Sequence, residues 1–198
     1  NPANLPPFRD ETSCSWTDNA GNLWLYGGYR SSGDFGDLWK YDISTNEWAC
    51  MHGANTGNAP AVYGTRGVAA PANTPGGRWV YSSWKDLAGN LWLFGGQKIV
   101  GSEFYNDLWK YDIASNQWTW MKGPNTTNYP GNYGTKCVSA NSNMPPSRWE
   151  NRARVRDGCG NFWNFGGGQD LAVRFNDLWH YNVSTNQWTW VSGDNTPN

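Results

Sequence analysis

The chain has 198 residues, among them 24 glycines, 11 prolines and 15 tryptophans, with 16% charged residues and a net charge of -1. An aromatic content of 16% at near-zero net charge excludes an intrinsically disordered chain, and the missing basic excess excludes a nucleic-acid binder. No Gly-X-Y period supports a collagen helix, and no apolar run is long enough to span a bilayer as a helix.

Asn1-Pro2-Ala3-Asn4-Leu5 carries neither an initiator Met nor a signal peptide, so the chain reads as processed or as an excerpt of something longer. The first predicted unit then runs through a short strand at Ser13, Ser15 and Thr17 to an Asp-containing turn. Next comes Gly21-Asn22-Leu23-Trp24-Leu25-Tyr26-Gly27-Gly28, a strand ending at a glycine pair where the chain reverses. A loop from Tyr29 to Gly36 leads to the strand Asp37-Leu38-Trp39-Lys40-Tyr41-Asp42. A turn through Ser44-Thr45-Asn46 precedes a last strand at Trp48. A connector containing Tyr63-Gly64-Thr65 and Pro71-Ala72-Asn73-Thr74-Pro75 leads to Arg78, which opens the second unit.

That unit repeats the first: Arg78 to Lys85, Gly89-Asn90-Leu91-Trp92-Leu93-Phe94-Gly95-Gly96, a loop from Gln97 to Asn106, Asp107-Leu108-Trp109-Lys110-Tyr111-Asp112, and Asn116-Gln117-Trp118. The third follows another connector with Tyr133-Gly134-Thr135. It opens at Arg148 and carries Gly160-Asn161-Phe162-Trp163-Asn164-Phe165-Gly166-Gly167, a loop from Gly168 to Asn176, Asp177-Leu178-Trp179-His180-Tyr181-Asn182, and Asn186-Gln187-Trp188. The Asp-Leu-Trp block recurs every 70 residues and the glycine pair after 68 and 71. Near-continuous apolar strands imply sheets covered on both faces. Four antiparallel strands per unit, with a glycine pair and fixed aromatics, form the pattern of a propeller blade.

Gly27-Gly28, then Tyr41-Asp42, then Trp48, in that order and three times over, resemble the kelch repeat. The unit of 70 exceeds the kelch period of about 50, the extra length lying in the connectors, as in long-connector kelch repeats of secreted and surface proteins. The expected fold is therefore all-β, with three four-stranded antiparallel kelch-type blades in tandem: residues 1–53 for the first, 54–123 for connector and second blade, and 124–198 for connector and third. Closed propellers have about four to eight blades, so three leave two aromatic-rich faces uncovered. The chain is then part of a longer propeller, half of a six-bladed ring made by two copies, or the unit of a head-to-tail filament.

Catalytic chemistry has little footing. His52 and His180 fall in different repeat slots, and no H-E-x-x-H, Walker A or G-x-S-x-G segment occurs. Asp37, Asp107 and Asp177 obey the repeat and read as strand-end anchors. Galactose oxidase has the kelch fold, but its histidine ligands and Tyr-Cys crosslink cannot be placed here, and no cofactor or metal is expected. Eleven tryptophans occupy repeat slots and read as core: Trp24, Trp92, Trp163, Trp39, Trp109, Trp179, Trp48, Trp118, Trp188, Trp120 and Trp190. Trp16, Trp79, Trp84 and Trp149 are less determined. Phe35, Tyr105 and Phe175 recur two residues before the Asp and read as plugs anchoring the loops.

Partner contact falls instead to unshared loop residues: Arg30, Asp34, Lys98, Glu103, Asp170 and Arg174. Kelch resemblance implies that such loops form a partner-binding face. Arg152, Arg154 and Arg156 alternate on one strand of the third unit and read as a solvated strand, a polar capping face or an anion lining. Asn125 and Asn182 open N-x-[ST] sequons. Cys14, Cys50, Cys137 and Cys159 show no C-x-x-C spacing and are compatible with two disulfides. Cys137 and Cys159 replace Gly67 and Ala88 in one repeat, which suggests a bridge between them. A Cys14–Cys50 bond would span three strand spacings of about 4.8 Å, beyond the ~7 Å Cα limit.

The expectation is a non-enzymatic, extracellular or cell-surface binding and assembly module. Its partner is a protein, most simply copies of itself or the rest of a longer propeller. A carbohydrate-binding module, or the propeller part of an enzyme such as a galactose-oxidase-like protein, is the alternative.

Overall fold

The computed structural model describes residues 4–10, 15–31, 33–99, 102–149, 153–169 and 172–197. Cys14, Arg152 and Asp170 lie outside them. Fourteen strands follow in order: β1 Ser15–Thr17, β2 Leu23–Tyr26, β3 Tyr29–Arg30, β4 Gly33–Asp34, β5 Leu38–Asp42, β6 Glu47–His52, β7 Ser82–Lys85, β8 Leu91–Lys98, β9 Glu103–Asp112, β10 Gln117–Lys122, β11 Ala153–Arg156, β12 Phe162–Gly168, β13 Arg174–Asn182 and β14 Gln187–Ser192. No helix occurs among the described residues. The strands form four antiparallel sheets: β1-β2-β5-β6, β7-β8-β9-β10, β11-β12-β13-β14 and the two-stranded β3-β4.

The fourth sheet corrects the sequence reading, which took residues 29–36 as a plain loop. In the second and third sheets the matching residues extend β8–β9 and β12–β13 beyond a break in register at the glycine pair. In the first, pairing of β2 with β5 stops at Tyr26 and Leu38, and the far hairpin counts as its own sheet. Gly96 shows why glycine is needed at that break. Its φ is +99°, and a Cβ would lie 2.8 Å from the Trp79 carbonyl oxygen.

The strand period of two distributes the aromatics. On β8, Leu91 and Leu93 join the core shared with the first sheet, while Trp92 and Phe94 join the core shared with the third. Ring pairs recur across both seams: Trp24 with Tyr111 at 5.7 Å and Tyr26 with Trp118 at 5.3 Å, then Trp92 with Tyr181 at 5.7 Å and Phe94 with Trp188 at 5.1 Å. A buried aromatic removes about 150–250 Å² from water, worth roughly 4–6 kcal/mol before chain entropy is counted. Asn164 takes the slot of Leu25 and Leu93, and there accepts a 3.1 Å hydrogen bond from the Ser82 hydroxyl of the neighbouring sheet.

Short polar turns set strand direction. The Asp18 carboxylate accepts the amides of Ala20 and Asn22 and the Trp24 indole N–H. Asp86 and Asp157 repeat the device with Trp92 and Trp163. At the same end of the molecule, Asn46, Asn116 and Asn186 hold φ of +56°, +56° and +55°, a region asparagine tolerates. Each accepts the hydroxyl of Tyr41, Tyr111 or Tyr181.

The connectors are structural. Gly67 donates to the Trp120 carbonyl and Ala70 bridges to Trp118, so the first connector shields the outer edge of β10. The second does the same for β14 through Cys137 and Ala140. This placement overturns the Cys137–Cys159 bridge. Cys137 sits outside β14, whereas Cys159 lies in the turn leaving β11, four strands away. Cys50, Cys137 and Cys159 are free, exposed thiols.

Nine of the eleven repeat-slot tryptophans are buried, as are Trp16 and Trp84. Trp48 and Trp163 are only half-buried, because they face outward from the first and third sheets, where no further sheet among the described residues covers them.

Candidate functional site

Each four-stranded sheet carries the same buried anchor at the end where the loops gather. Arg148 donates to both carboxylate oxygens of Asp177 at 2.7 and 2.8 Å, and Nη1 also donates to the Gly166 carbonyl at 2.8 Å. The Trp179 indole N–H and the Tyr133 hydroxyl donate to the same carboxylate at 2.8 and 2.6 Å. The guanidinium lies 4.4 Å from the Phe175 ring centroid. Arg78, Asp107, Trp109, Tyr63 and Tyr105 repeat this set in the second sheet. Arg9, Asp37, Trp39 and Phe35 repeat it in the first.

Burial pushes the Asp177 carboxyl up, but the Arg148 charge and the hydrogen bonds from Arg148, Tyr133 and Trp179 outweigh it and hold it below the ordinary carboxylate range. Four donors, three of them on Oδ2, tie this carboxylate into the frame. The recurring acids are structural ties, and Phe35, Tyr105 and Phe175 are buried plugs beneath a guanidinium.

The histidines are scattered. Burial lowers the pKa of His180 against the opposing pull of Asp157, and its ring packs on Trp163 at 4.6 Å. His52 contacts the Pro71 carbonyl at 3.2 Å. Among the described residues, no three His, Cys, Asp or Glu side chains are grouped as metal ligands.

The expected partner residues divide. Arg30 and Arg174 are exposed, with Arg174 5.9 Å from the Trp149 ring centroid. Lys98 and Glu103 face each other at 3.5 Å across the mouth of the β8–β9 hairpin. Asp34 is fully buried: its carboxylate accepts the Ile99 amide at 3.0 Å, and its backbone is bonded to Asn58. It ties the first loop to the second and is not a surface contact. Asp170 lies outside the described residues.

Arg154 donates to the Ser83 carbonyl of the neighbouring inner strand at 3.1 Å, and Arg156 is exposed; Arg152 lies outside the described residues. Lys85 likewise donates to Thr17 of the sheet before it, at 2.7 Å. Basic side chains here serve the free carbonyls of the innermost strands. Asn125 is exposed, while the Asn182 side chain is engaged in capping its own turn through the amides of Ser184 and Thr185.

Two features were missed in the sequence. Arg9 belongs to the anchor set, and Pro6-Pro7-Phe8-Arg9 against Pro145-Pro146-Ser147-Arg148 is the signal that could have found it. Tyr29, Trp79 and Trp149 form a row at the loop end, with ring centroids 5.8 and 6.3 Å apart. No repeat block announces that row, since its members fall between blocks.

No family model matches the chain. It is 25% identical over 232 aligned positions to Kelch domain-containing protein 10 of Homo sapiens and of Bos taurus, covering 92% of this chain and 48% of each relative. The chain thus spans about half the length of the curated relatives it matches. The solved structure of YjhT superposes with a TM-score of 0.61 at 16% identity, over 93% of this chain and 52% of that one. That likeness concerns the fold.

Proposed function

Since the chain is a kelch-repeat β-propeller, we propose that it serves as a non-enzymatic protein-interaction module of three tandem blades, reading its partner with the loops at the anchored end. The observation that supports this reading is the thrice-repeated Arg–Asp–Trp anchor beneath loops that differ from blade to blade. A rigid, redundant frame under divergent loops is the arrangement in which binding residues are held by a scaffold. Arg30, Lys98, Glu103 and Arg174 are the contacts proposed for that face.

The test compares proteins retained by the wild-type chain with those retained by an Arg30→Glu/Arg174→Glu variant, using isotope labelling to quantify each. A binder lost from the variant while its circular dichroism is unchanged supports the reading. Identical retention by both chains contradicts it. The proposal extends to an extracellular or cell-surface location, supported by the exposed sequon residue Asn125. A mass decrease on glycosidase treatment of the native protein is the corresponding measurement.

A further inference from the structure

One backbone pairing lays down the row of Tyr29, Trp79 and Trp149. In each blade the residue after the anchor arginine bridges to the strand beyond the glycine pair: Asp10 to Tyr29, Trp79 to Gln97 and Trp149 to Gly168. Directly opposed residues of an antiparallel pair share a face, so Gln97 stands beside Trp79. Tyr29 meets Trp79 with planes 33° apart, and Trp79 meets Trp149 at 49°. The rings form one continuous platform across both seams.

Packing alone does not account for this platform. Trp79 touches a ring of the blade on either side and is still half-buried, as is Tyr29. The indole N–H groups of Trp79 and Trp149 and the Oε1 atom of Gln97 are shielded from water and have no hydrogen-bond partner among the described residues. Trp84, Trp118 and Trp188 share that lack, but their rings lie wholly inside the seams. Polar atoms held from water without a partner are unfavourable, and on the platform they stand beside half-open ring faces.

The groups around the rings select the occupant. Trp79 and Trp149 offer donors, whereas Gln97 Oε1 is the single unpartnered acceptor. At one end the exposed Arg174 guanidinium lies 5.9 Å from the Trp149 ring centroid. Gly168 makes room for it, since a Cβ there would meet Arg174 Nη1 at 2.8 Å and Trp149 Nε1 at 3.3 Å. At the other end Tyr29 is followed by the exposed Arg30. The fitting ligand is therefore apolar on one side, rich in acceptors, poor in N–H groups and negatively charged. Proline-rich chain in the polyproline II form has these properties: proline has no N–H, and the carbonyls have no internal partner. Such segments dock on aromatic surfaces at low entropic cost. A neutral glycan also stacks on rings, but brings hydroxyl donors for which only Gln97 is available and no charge for the arginines.

We propose that the Tyr29–Trp79–Trp149 row docks a proline-rich, acidic segment of a partner protein in the polyproline II conformation. The proposal rests on the interaction reading above and names the chemistry of the partner. With about three residues per polyproline II turn, an acidic residue at every third position lies along one edge toward the arginines and leaves the prolines for the rings.

Fluorescence anisotropy of a fluorescein-labelled Glu-Pro-Pro repeat peptide tests this, with a Lys-Pro-Pro repeat and a flexible Gly-Ser-Glu repeat as comparisons. The folded chain should bind the first about tenfold or more tighter than either of the others. Trp79→Ala should weaken binding about tenfold. Trp79→Phe, which keeps an aromatic face and drops the N–H, should weaken it about fivefold; circular dichroism checks the fold of both. No binding of Glu-Pro-Pro by the wild type, affinity unchanged in both Trp79 variants, equal binding of Gly-Ser-Glu, or preference for a linear glucan lost in Trp79→Ala would each overturn the docking site. A protein partner that depends on Arg30 and Arg174, but that the Glu-Pro-Pro peptide does not displace, would overturn the docking site and leave the interaction reading standing.

Discussion

Replacing Asp177 with alanine removes the acceptor for four buried donors at once: two guanidinium N–H groups of Arg148, the Trp179 indole and the Tyr133 hydroxyl. Arg148 is fully buried on the side-chain scale and cannot turn to water. An uncompensated buried charge costs about 3–5 kcal/mol, and an orphaned indole N–H adds about 1 kcal/mol or more. The expected loss is therefore about 4–6 kcal/mol, a large part of the roughly 5–15 kcal/mol that holds a domain folded. Urea unfolding followed by tryptophan fluorescence reads it directly. The companion Arg148→Met/Asp177→Ala chain removes both charges, and its loss should fall well short of the two single losses combined. A single-variant loss under about 1 kcal/mol, or strict additivity in the cycle, would refute the assignment of this ion pair as the buried anchor.

The same carboxylate sets an acid limit. Its folded pKa lies below the ordinary value, so its contribution is complete above the unfolded pKa of about 3.9 and is lost as pH falls through the folded value; melting temperature should be flat near neutrality and drop below about pH 4. Gly96→Ala forces a side chain into φ +99° and against the Trp79 carbonyl, and should cost more than about 1 kcal/mol in chemical denaturation. Asn164→Leu combined with Ser82→Ala replaces a polar pair whose Asn164 amide nitrogen has no partner. Removing both partners together should be neutral or stabilising by about 1 kcal/mol, seen as an unchanged or raised urea midpoint.

The repeat made much of this architecture legible. Gly27-Gly28, Asp37-Leu38-Trp39 and Trp48, with their counterparts, mark strand ends and packing slots because each unit meets the same neighbours. The same logic identified Phe35, Tyr105 and Phe175 as plugs. What the alignment does not carry is spatial adjacency between units. Cys137 and Cys159 share a repeat yet sit on opposite edges of its sheet, so their common departure from the pattern had no bearing on distance. Asp34 looked like a variable loop residue, but the Ile99 amide that it accepts comes from the next blade, a contact with no local signature. Arg9 has its partner Asp37 28 residues on, and the signal for it lies outside the strand blocks, in Pro2-Ala3-Asn4 and Pro6, which match Pro71-Ala72-Asn73 and Pro75 ahead of Arg78.

Amide hydrogen exchange at Gly28 and Gly96 is the most direct measurement of the claim that successive sheets of the chain lock together through one repeated backbone clasp. Gly28 and Gly96 donate across internal seams and should be protected at every concentration. Rapid exchange at Gly28 or Gly96 in the folded chain would contradict the account.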